Sequence, residues 1–136
     1  MKLVLTNGCF DILHRGHVEF LNRAKALGDR LIVLLNSDES VRKLKGDSRP
    51  INNQEDRKFM LLNLKAVDEV IIFNDENCSD EIRRIHPDIY TKSLDYERHF
   101  NKEERKALDD IGIEPVWLSF AKTYSTTKLI EKIKSI

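Results

Sequence analysis

The chain is poor in the residues that cross-link small secreted folds or hold structural metals. It has only two cysteines in 136 residues, Cys9 and Cys78. This count excludes a disulfide framework and a four-cysteine metal centre. The longest apolar run, residues 31–35, is far shorter than the roughly 20 residues that span a bilayer. The amino end leads straight into a predicted strand rather than a signal peptide. We therefore expect a protein of the reducing cytoplasm with no membrane partner.

An excess of either charge is also missing. Lysine plus arginine number 23 and aspartate plus glutamate number 23, so the formal net charge is zero. A protein that binds nucleic acid broadly needs a basic surface, and we therefore expect no nucleic-acid partner. A chain of 136 residues is long enough for one substantial core. We predict a single domain over residues 1–136.

Short β-rich runs alternate with helical patterns along the whole chain. The predicted strands cover residues 2–6, 30–35, 67–73, 89–92 and 114–118. The predicted helices cover residues 18–27, 37–44, 53–64, 79 to Pro87, 102–111 and 125–136. This alternation predicts an α/β fold with a Rossmann-like, doubly wound, five-stranded parallel sheet. Ligands of such sheets bind beyond the carboxyl ends of the strands.

The polar segment after the first strand indicates a phosphate site. It reads Gly8-Cys9-Phe10-Asp11, then His14-Arg15-Gly16-His17 before a helix. Neither a GxGxxG turn nor a P-loop is present. A helix N-terminus offers free N–H groups to an anion, Gly16 lets the anion approach the backbone, and two imidazoles add donors. The alternative is a pair of surface histidines that flank a helix cap.

Together with Tyr124-Ser125-Thr126-Thr127 at the start of the last helix, these segments resemble the cytidylyltransferase-like nucleotidyltransferases of the HIGH superfamily. The resemblance covers nearly the whole chain and implies transfer from a nucleoside triphosphate to a phosphorylated small molecule, with release of pyrophosphate. The implied catalytic residues are His14, His17 and Lys45. The implied nucleotide-binding residues are Gly8, Cys9, Phe10, His14, Gly16, His17, Asp95, Tyr124, Ser125, Thr126 and Thr127. The implied acceptor-binding residues are Asp11, Lys45, Arg49 and Arg57.

Finer features resemble the heptose-phosphate adenylyltransferase branch of this family. They are Asn36-Ser37-Asp38, the polar loop at 45–50, Glu55 and Arg57. Cytidylyl members usually carry an arginine near the place of Phe120. The branch has K-G-G-D-Y after the fourth strand where this chain reads Lys92-Ser93-Leu94-Asp95-Tyr96, and residues 121–123 lack the usual glycine and acidic residue. We expect transfer of AMP from ATP to a sugar 1-phosphate, with heptose 1-phosphate the preferred acceptor.

Three alternatives stay open at this point. A CTP-dependent enzyme could act on glycerol 3-phosphate or another phosphorylated alcohol. The histidine motif could belong to a fold like that of the aminoacyl-tRNA synthetases, although a short neutral chain does not favour tRNA. A nucleotide-sensing module would bind without catalysis. The resemblance further implies Mg²⁺ bound mainly through the triphosphate, no dedicated protein metal site, and a homodimer.

Ordinary structural roles compete for several of these residues. Ser125 is a common helix cap, Asp11 can cap a loop, and Lys45, Arg49 and Arg57 can lie in solvent or in ion pairs. Cys9 is expected to contribute its backbone N–H rather than a reactive thiol.

Overall fold

The strands form one parallel sheet in the computed structural model, which describes residues 1–119 and 124–136. The strands are β1 (Leu3–Gly8), β2 (Arg30–Asn36), β3 (Glu69–Phe73), β4 (Ile89–Ser93) and β5 (Val116–Leu118). Their order across the sheet is β3-β2-β1-β4-β5, and all four neighbouring pairs are parallel. The predicted doubly wound, five-stranded parallel sheet is confirmed.

In the described part of the chain, six helices connect and cover these strands. They are α1 (Arg15–Ala26), α2 (Asp38–Lys45), α3 (Gln54–Leu62), α4 (Ser79–Ile85), α5 (Lys102–Ile111) and α6 (Thr126–Lys134). The side chains of Ser37, Asn53, Asn101 and Ser125 each accept a hydrogen bond from a first-turn backbone N–H, as N-caps do. A 3-10 turn at Leu94–Tyr96 was not predicted. No helix in the described part of the chain has the length and apolar content needed to cross a bilayer.

Strand β2 is buried on both faces and divides the core into two layers. Leu31, Val33 and Leu35 pack on one face with residues of α1 and α3. Ile32 and Leu34 pack on the opposite face with residues of α4 and α5. A wholly apolar central strand is what a parallel sheet covered by helices on both faces requires.

The chain order places a crevice between β1 and β4. From β1 the chain builds outward through β2 to the edge strand β3, then returns to pair β4 with the other side of β1. The helices that follow β1 and β4 therefore leave on opposite faces and separate at the carboxyl ends of these strands. This is the switch point at which open α/β sheets bind ligands.

Candidate nucleotide site

A cleft of about 560 Å³ opens at the carboxyl ends of β1 and β4. The first residues of α1 and α6 both line it. It brings together all the predicted site residues except Arg49 and Arg57, namely Gly8, Cys9, Phe10, Asp11, His14, Gly16, His17, Lys45, Asp95, Tyr124, Ser125, Thr126 and Thr127. Residues from opposite ends of the chain therefore share one polar cavity.

His14 and His17 form a capping box made of two imidazoles. His14 is the N-cap of α1, and its Nδ1 accepts from the N–H of Gly16 at 3.1 Å. Nδ1 of His17 accepts from the backbone N–H of His14 at 3.4 Å. The two rings stack with 3.8 Å between centroids and 23° between planes. The box therefore orients both imidazoles with backbone donors.

This arrangement assigns the proton of each neutral ring. Since both Nδ1 atoms accept hydrogen bonds, Nε2 carries the proton in the neutral imidazole. Burial lowers the pKa of His14. Burial, assisted by the charges of His14 and Lys45, lowers the pKa of His17 to about 4. Near neutral pH the histidine pair thus presents two uncharged Nε2–H donors.

Gly16 is required by the packing of these rings. A Cβ atom at this position would lie 2.9 Å from Cε1 of His14 and 3.0 Å from Cβ of Tyr124. Contacts this short would displace either the cap or the segment that leads into α6. Here glycine serves the packing of the imidazole as well as the approach of a ligand.

Phe10 shapes the turn between β1 and α1. Its φ of 45° lies in the left-handed region, which few residues with a Cβ adopt. Its ring packs edge-on to His17, with 5.3 Å between centroids, and covers Gly8, where a Cβ would lie 2.7 Å from the ring. The ring of Phe10 therefore packs against both His17 and Gly8 and helps to position the histidine pair.

The start of α6 is the second donor-rich end in the cleft. Ser125 caps the helix by accepting from the N–H of Lys128 at 3.0 Å, and the hydroxyl of Thr126 donates to the carbonyl of Ile12 at 3.2 Å. The second bond ties α6 to the loop before α1. Two helix N-termini therefore converge, and each brings the positive end of its dipole. The predicted features at 120–123, including Phe120, lie outside the described residues.

Lys45 is an exposed cation at the rim of the cleft. It is the last residue of α2, and its charge adds to burial in lowering the pKa of both His17 and Lys92. The burial of Cys9 raises the pKa of its thiol. This favours the protonated thiol and fits the expectation that Cys9 contributes backbone groups.

Arg57, which was predicted to bind the acceptor, is bound by other groups of the protein and is not among the residues that line the cleft. Its guanidinium is 1% exposed and donates to the carbonyls of Asn52, Cys9 and Asn36 and to the carboxylate of Asp38. The reason is geometric: the planar fork of arginine suits several converging acceptors. Arg57 fastens the turn after β1 to the start of α2.

Asp11 and Arg49 were also predicted to bind the acceptor. The carboxylate oxygens of Asp11 accept from the N–H groups of Ile51 and Asn52 at 2.8 and 2.9 Å, so this side chain holds the loop before α3 while it also lines the cleft. Arg49 lies in that loop and does not reach the cleft lining that the described residues define.

A buried polar network in the wall of the cleft was not predicted from the sequence. Nζ of Lys92 donates to Oδ1 of Asn7 at 2.5 Å. Nδ2 of Asn7 donates to Oε2 of Glu104 at 3.2 Å, and Oε1 of Glu104 accepts from the hydroxyl of Tyr90 at 3.2 Å. Asn7 and Lys92 are polar residues near the carboxyl ends of two central strands. That position was the signal that could have revealed them.

Ser93 and Leu94 stand where K-G-G-D-Y has its two glycines, and they form the cap and the first residue of the 3-10 turn. The hydroxyl of Ser93 caps this turn by accepting from the N–H of Asp95 at 3.4 Å. Ser93 has a φ of −61°, which any residue adopts. The turn forms without a glycine, and Asp95 and Tyr96 still line the cleft.

Comparison with known proteins agrees with this geometry. The model of the family described as Cytidylyltransferase-like matches residues 5–132. The chain belongs to the cytidylyltransferase-like family. The predicted resemblance to this family is confirmed.

Curated relatives share about half of the sequence. The chain is 48% identical over 133 residues to "Bifunctional protein HldE" of Helicobacter pylori strain P12, covering 98% of this chain and 28% of that protein. It is 50% identical to the protein of that name from Wolinella succinogenes, again over 98% of this chain but 27% of the relative. The chain thus spans a little over a quarter of these relatives.

A solved structure matches along nearly its whole length. This is a lipopolysaccharide core biosynthesis protein from Thermoplasma volcanium, with 31% identity and a TM-score of 0.72. The alignment covers 92% of this chain and 99% of that one. This likeness supports the Rossmann-like topology described above.

Proposed function

We propose that this protein transfers AMP from ATP to a sugar 1-phosphate, with heptose 1-phosphate as the preferred acceptor, and releases pyrophosphate. The carrying observation is the stacked pair His14 and His17, set between the N-termini of α1 and α6 in one cleft. Uncharged Nε2–H donors beside two positive helix ends suit a polyphosphate. Membership of the cytidylyltransferase-like family supports nucleotidyl transfer at this site.

The proposed reaction needs no protein nucleophile. An oxygen of the acceptor phosphate attacks the α-phosphorus of ATP, the bond from that phosphorus to the bridging oxygen breaks, and pyrophosphate leaves with the electron pair. The attacking group is already anionic, so the protein's tasks are alignment and stabilisation of charge. His14 and His17 donate to the phosphate oxygens around the reacting bond. Removing one such donor costs about 10²–10³ in rate.

The start of α6 holds the β- and γ-phosphates in this proposal. The hydroxyl of Ser125, the free N–H groups of the first turn and Thr127 supply donors there. Backbone N–H groups of Cys9 and Phe10 serve the α-phosphate, and Asp95 and Tyr124 face the nucleoside. Lys45 neutralises charge where the two substrates meet.

Magnesium enters the proposal as part of the substrate. The described residues include no group of three or more His, Cys, Asp or Glu side chains that could hold a metal ion. We propose that ATP binds as its magnesium complex, in which phosphate oxygens and water are the ligands. The ion then offsets charge on the triphosphate.

The choice of ATP and heptose 1-phosphate rests on the likeness to the heptose-phosphate adenylyltransferase branch at residues 36–38 and 45–50. Identities of 48–50% to proteins named HldE support that choice, as does the likeness to the lipopolysaccharide core biosynthesis protein from Thermoplasma volcanium. CTP-dependent transfer to glycerol 3-phosphate is the competing assignment within the same chemistry.

A substrate matrix tests the proposal. Pyrophosphate release is measured with ATP, CTP, GTP and UTP against heptose 1-phosphate, glucose 1-phosphate and glycerol 3-phosphate, with Mg²⁺ present. We expect the highest kcat/KM for ATP with heptose 1-phosphate. Faster turnover of CTP with glycerol 3-phosphate would transfer the assignment to the competing reaction. Nucleotide binding without pyrophosphate release from any pair would favour a sensing module.

We also propose, by resemblance to the family, that residues 1–136 form one domain and that the protein is a homodimer. Phe59 and Met60 on α3 are 66% and 53% exposed and provide positions at which to test self-association. Sedimentation velocity should give a dimer mass, and a monomer at all concentrations would refute the proposal.

A further inference from the structure

The proposed mechanism assigns no role to Lys92, a buried lysine in the cleft. Lys92 lies near the end of β4, is 8% exposed, and lines the cleft. Its Nζ donates to Oδ1 of Asn7 at 2.5 Å and lies 4.0 Å from the centroid of the Tyr96 ring. Burying an ammonium is costly unless its surroundings compensate it. Its place in the wall of a ligand cleft therefore needs an explanation.

The carboxylate that compensates the charge of Lys92 is that of Glu104, and Asn7 links the two side chains by hydrogen bonds. Asn7 accepts from Lys92 and donates from Nδ2 to Glu104 at 3.2 Å. The carboxylate of Glu104 also accepts from the N–H of Cys78 at 3.0 Å and from the hydroxyl of Tyr90 at 3.2 Å. An ammonium has three N–H donors, and Asn7 accepts from one. This chain of bonds orients the ammonium and supplies nearby negative charge, while leaving donors for a ligand.

A second cation faces the same place. Lys45 also lines the cleft, and its charge adds to burial in lowering the pKa of Lys92. These two lysines come from different elements, α2 and β4. Two positive groups that approach one polar cavity repel each other until an anion binds between them. Their convergence indicates a site for a phosphate.

We propose that Lys92 binds the phosphate of the acceptor, by donating from Nζ to a non-bridging oxygen, and that Asn7 is its positioning residue. This inference rests on the proposed function and deepens it. The histidine pair and the start of α6 already provide donors for the triphosphate. Lys92 comes from β4, and its neighbours in the cleft are Asn7 and the ring of Tyr96. Attack requires two anionic phosphates to meet, and a fixed cation there offsets their repulsion.

The variant Lys92→Gln tests this assignment by separating the two substrates. We expect KM for D-glycero-β-D-manno-heptose 1-phosphate to rise at least about 10-fold, since a charged hydrogen-bond donor to phosphate is lost. The Kd for ATP with Mg²⁺, titrated calorimetrically without acceptor, should change less than about twofold. The matched control is Lys106→Gln on the exposed part of α5, which should alter neither constant. An unchanged acceptor KM, or an equal loss of ATP affinity, would overturn the assignment.

A measurement on the unmodified protein covers the case in which Lys92→Gln does not fold. The side-chain ammonium of Lys92 can be followed by ¹⁵N-resolved NMR during titration with the same sugar 1-phosphate. Its Nζ signal should shift, and that of Lys106 should not; a stationary Lys92 signal would refute the inference. This readout does not depend on turnover. Absence of pyrophosphate release by the unmodified protein would instead contradict the proposed function.

Discussion

The double role of the histidine pair allows helix capping to be separated from catalysis. His14 and His17 cap α1 through their Nδ1 atoms, whereas the proposed catalytic donors are their Nε2–H groups. An ordinary capping box has serine at the N-cap and glutamine three residues later. The double variant His14→Ser/His17→Gln places a serine–glutamine capping box at the same two positions. It should keep the helix start and remove both imidazoles.

The expected stability follows from the cap geometry. His14 has φ −138° and ψ 176°, the extended conformation that N-cap serine adopts. Loss of a capping side chain to alanine costs about 1 kcal/mol, so His14→Ala/His17→Ala should lose about 2 kcal/mol, or roughly 8 °C in Tm for a chain of this size. The serine–glutamine variant should stay within about 1 kcal/mol of the native free energy of unfolding.

The expected activity differs sharply. Each lost donor to a charged transition state costs about 10²–10³ in rate, and losses at neighbouring residues do not add fully. We expect kcat to fall at least about 10³-fold in the serine–glutamine variant. The assay is pyrophosphate release with ATP and heptose 1-phosphate, beside urea unfolding. A stable variant that retains more than about a tenth of native kcat would show that the imidazoles are helix caps alone.

Four further outcomes are expected. Burial lowers the pKa of His17 from 6.5 to about 4, so the unfolded chain binds a proton at this residue more readily than the folded chain. The free energy of unfolding should therefore fall as the pH drops from 6.5 to about 4, by at most about 3 kcal/mol. Urea titrations of His17→Gln should lack this component. Lys45→Ala should lower kcat/KM about 10-fold or more, while Lys43→Ala, an exposed neighbour paired with Glu39, should leave it nearly unchanged; equal small effects would mean that Lys45 is merely solvated. Arg57→Ala should cost about 3–5 kcal/mol by leaving buried acceptors and Asp38 without their partner, and an unfolding free energy within 1 kcal/mol of native would contradict the network. Calorimetric titration should give tighter binding of ATP than CTP, and the reverse result would move the assignment to the cytidylyl branch.

Periodicity predicted the sheet because its apolar pattern is strong. The run at 31–35 has no polar residue, so a strand buried on both faces was the simplest interpretation, and β2 is such a strand. α5 has the bounds that were predicted for it, and in the structure Asn101 caps it and Gly112 ends it in the left-handed conformation. The 3-10 turn was missed because three residues closed by a serine cap leave no periodic signal.

The residues that share the cleft could be predicted where the local sequence is distinctive, whereas the hydrogen-bond partners of buried polar groups could not. The histidine pair and the helix start at Ser125 stand in short segments whose neighbours alone suggest phosphate binding. Asp11 and Arg57 were assigned to substrate because their residue types suit it, yet both are used by backbone groups from other loops. Such long-range partners cannot be counted from one sequence.

Burial and hydrogen bonding allow the protein to hold uncharged donors and cations in one cavity. Burial and the charge of Lys45 keep His17 neutral, so the imidazoles do not add to the repulsion between Lys45 and Lys92. Asn7 joins Lys92 to Glu104, so the buried ammonium is balanced through an amide rather than by direct contact with a carboxylate. In the proposed arrangement, Lys45 and Lys92 offset the repulsion between the phosphates of the two substrates, and the neutral imidazoles align the reacting bond. A protein that only sensed a nucleotide would need no cation for an acceptor phosphate, so a rise in the acceptor KM of Lys92→Gln would also favour catalysis over sensing.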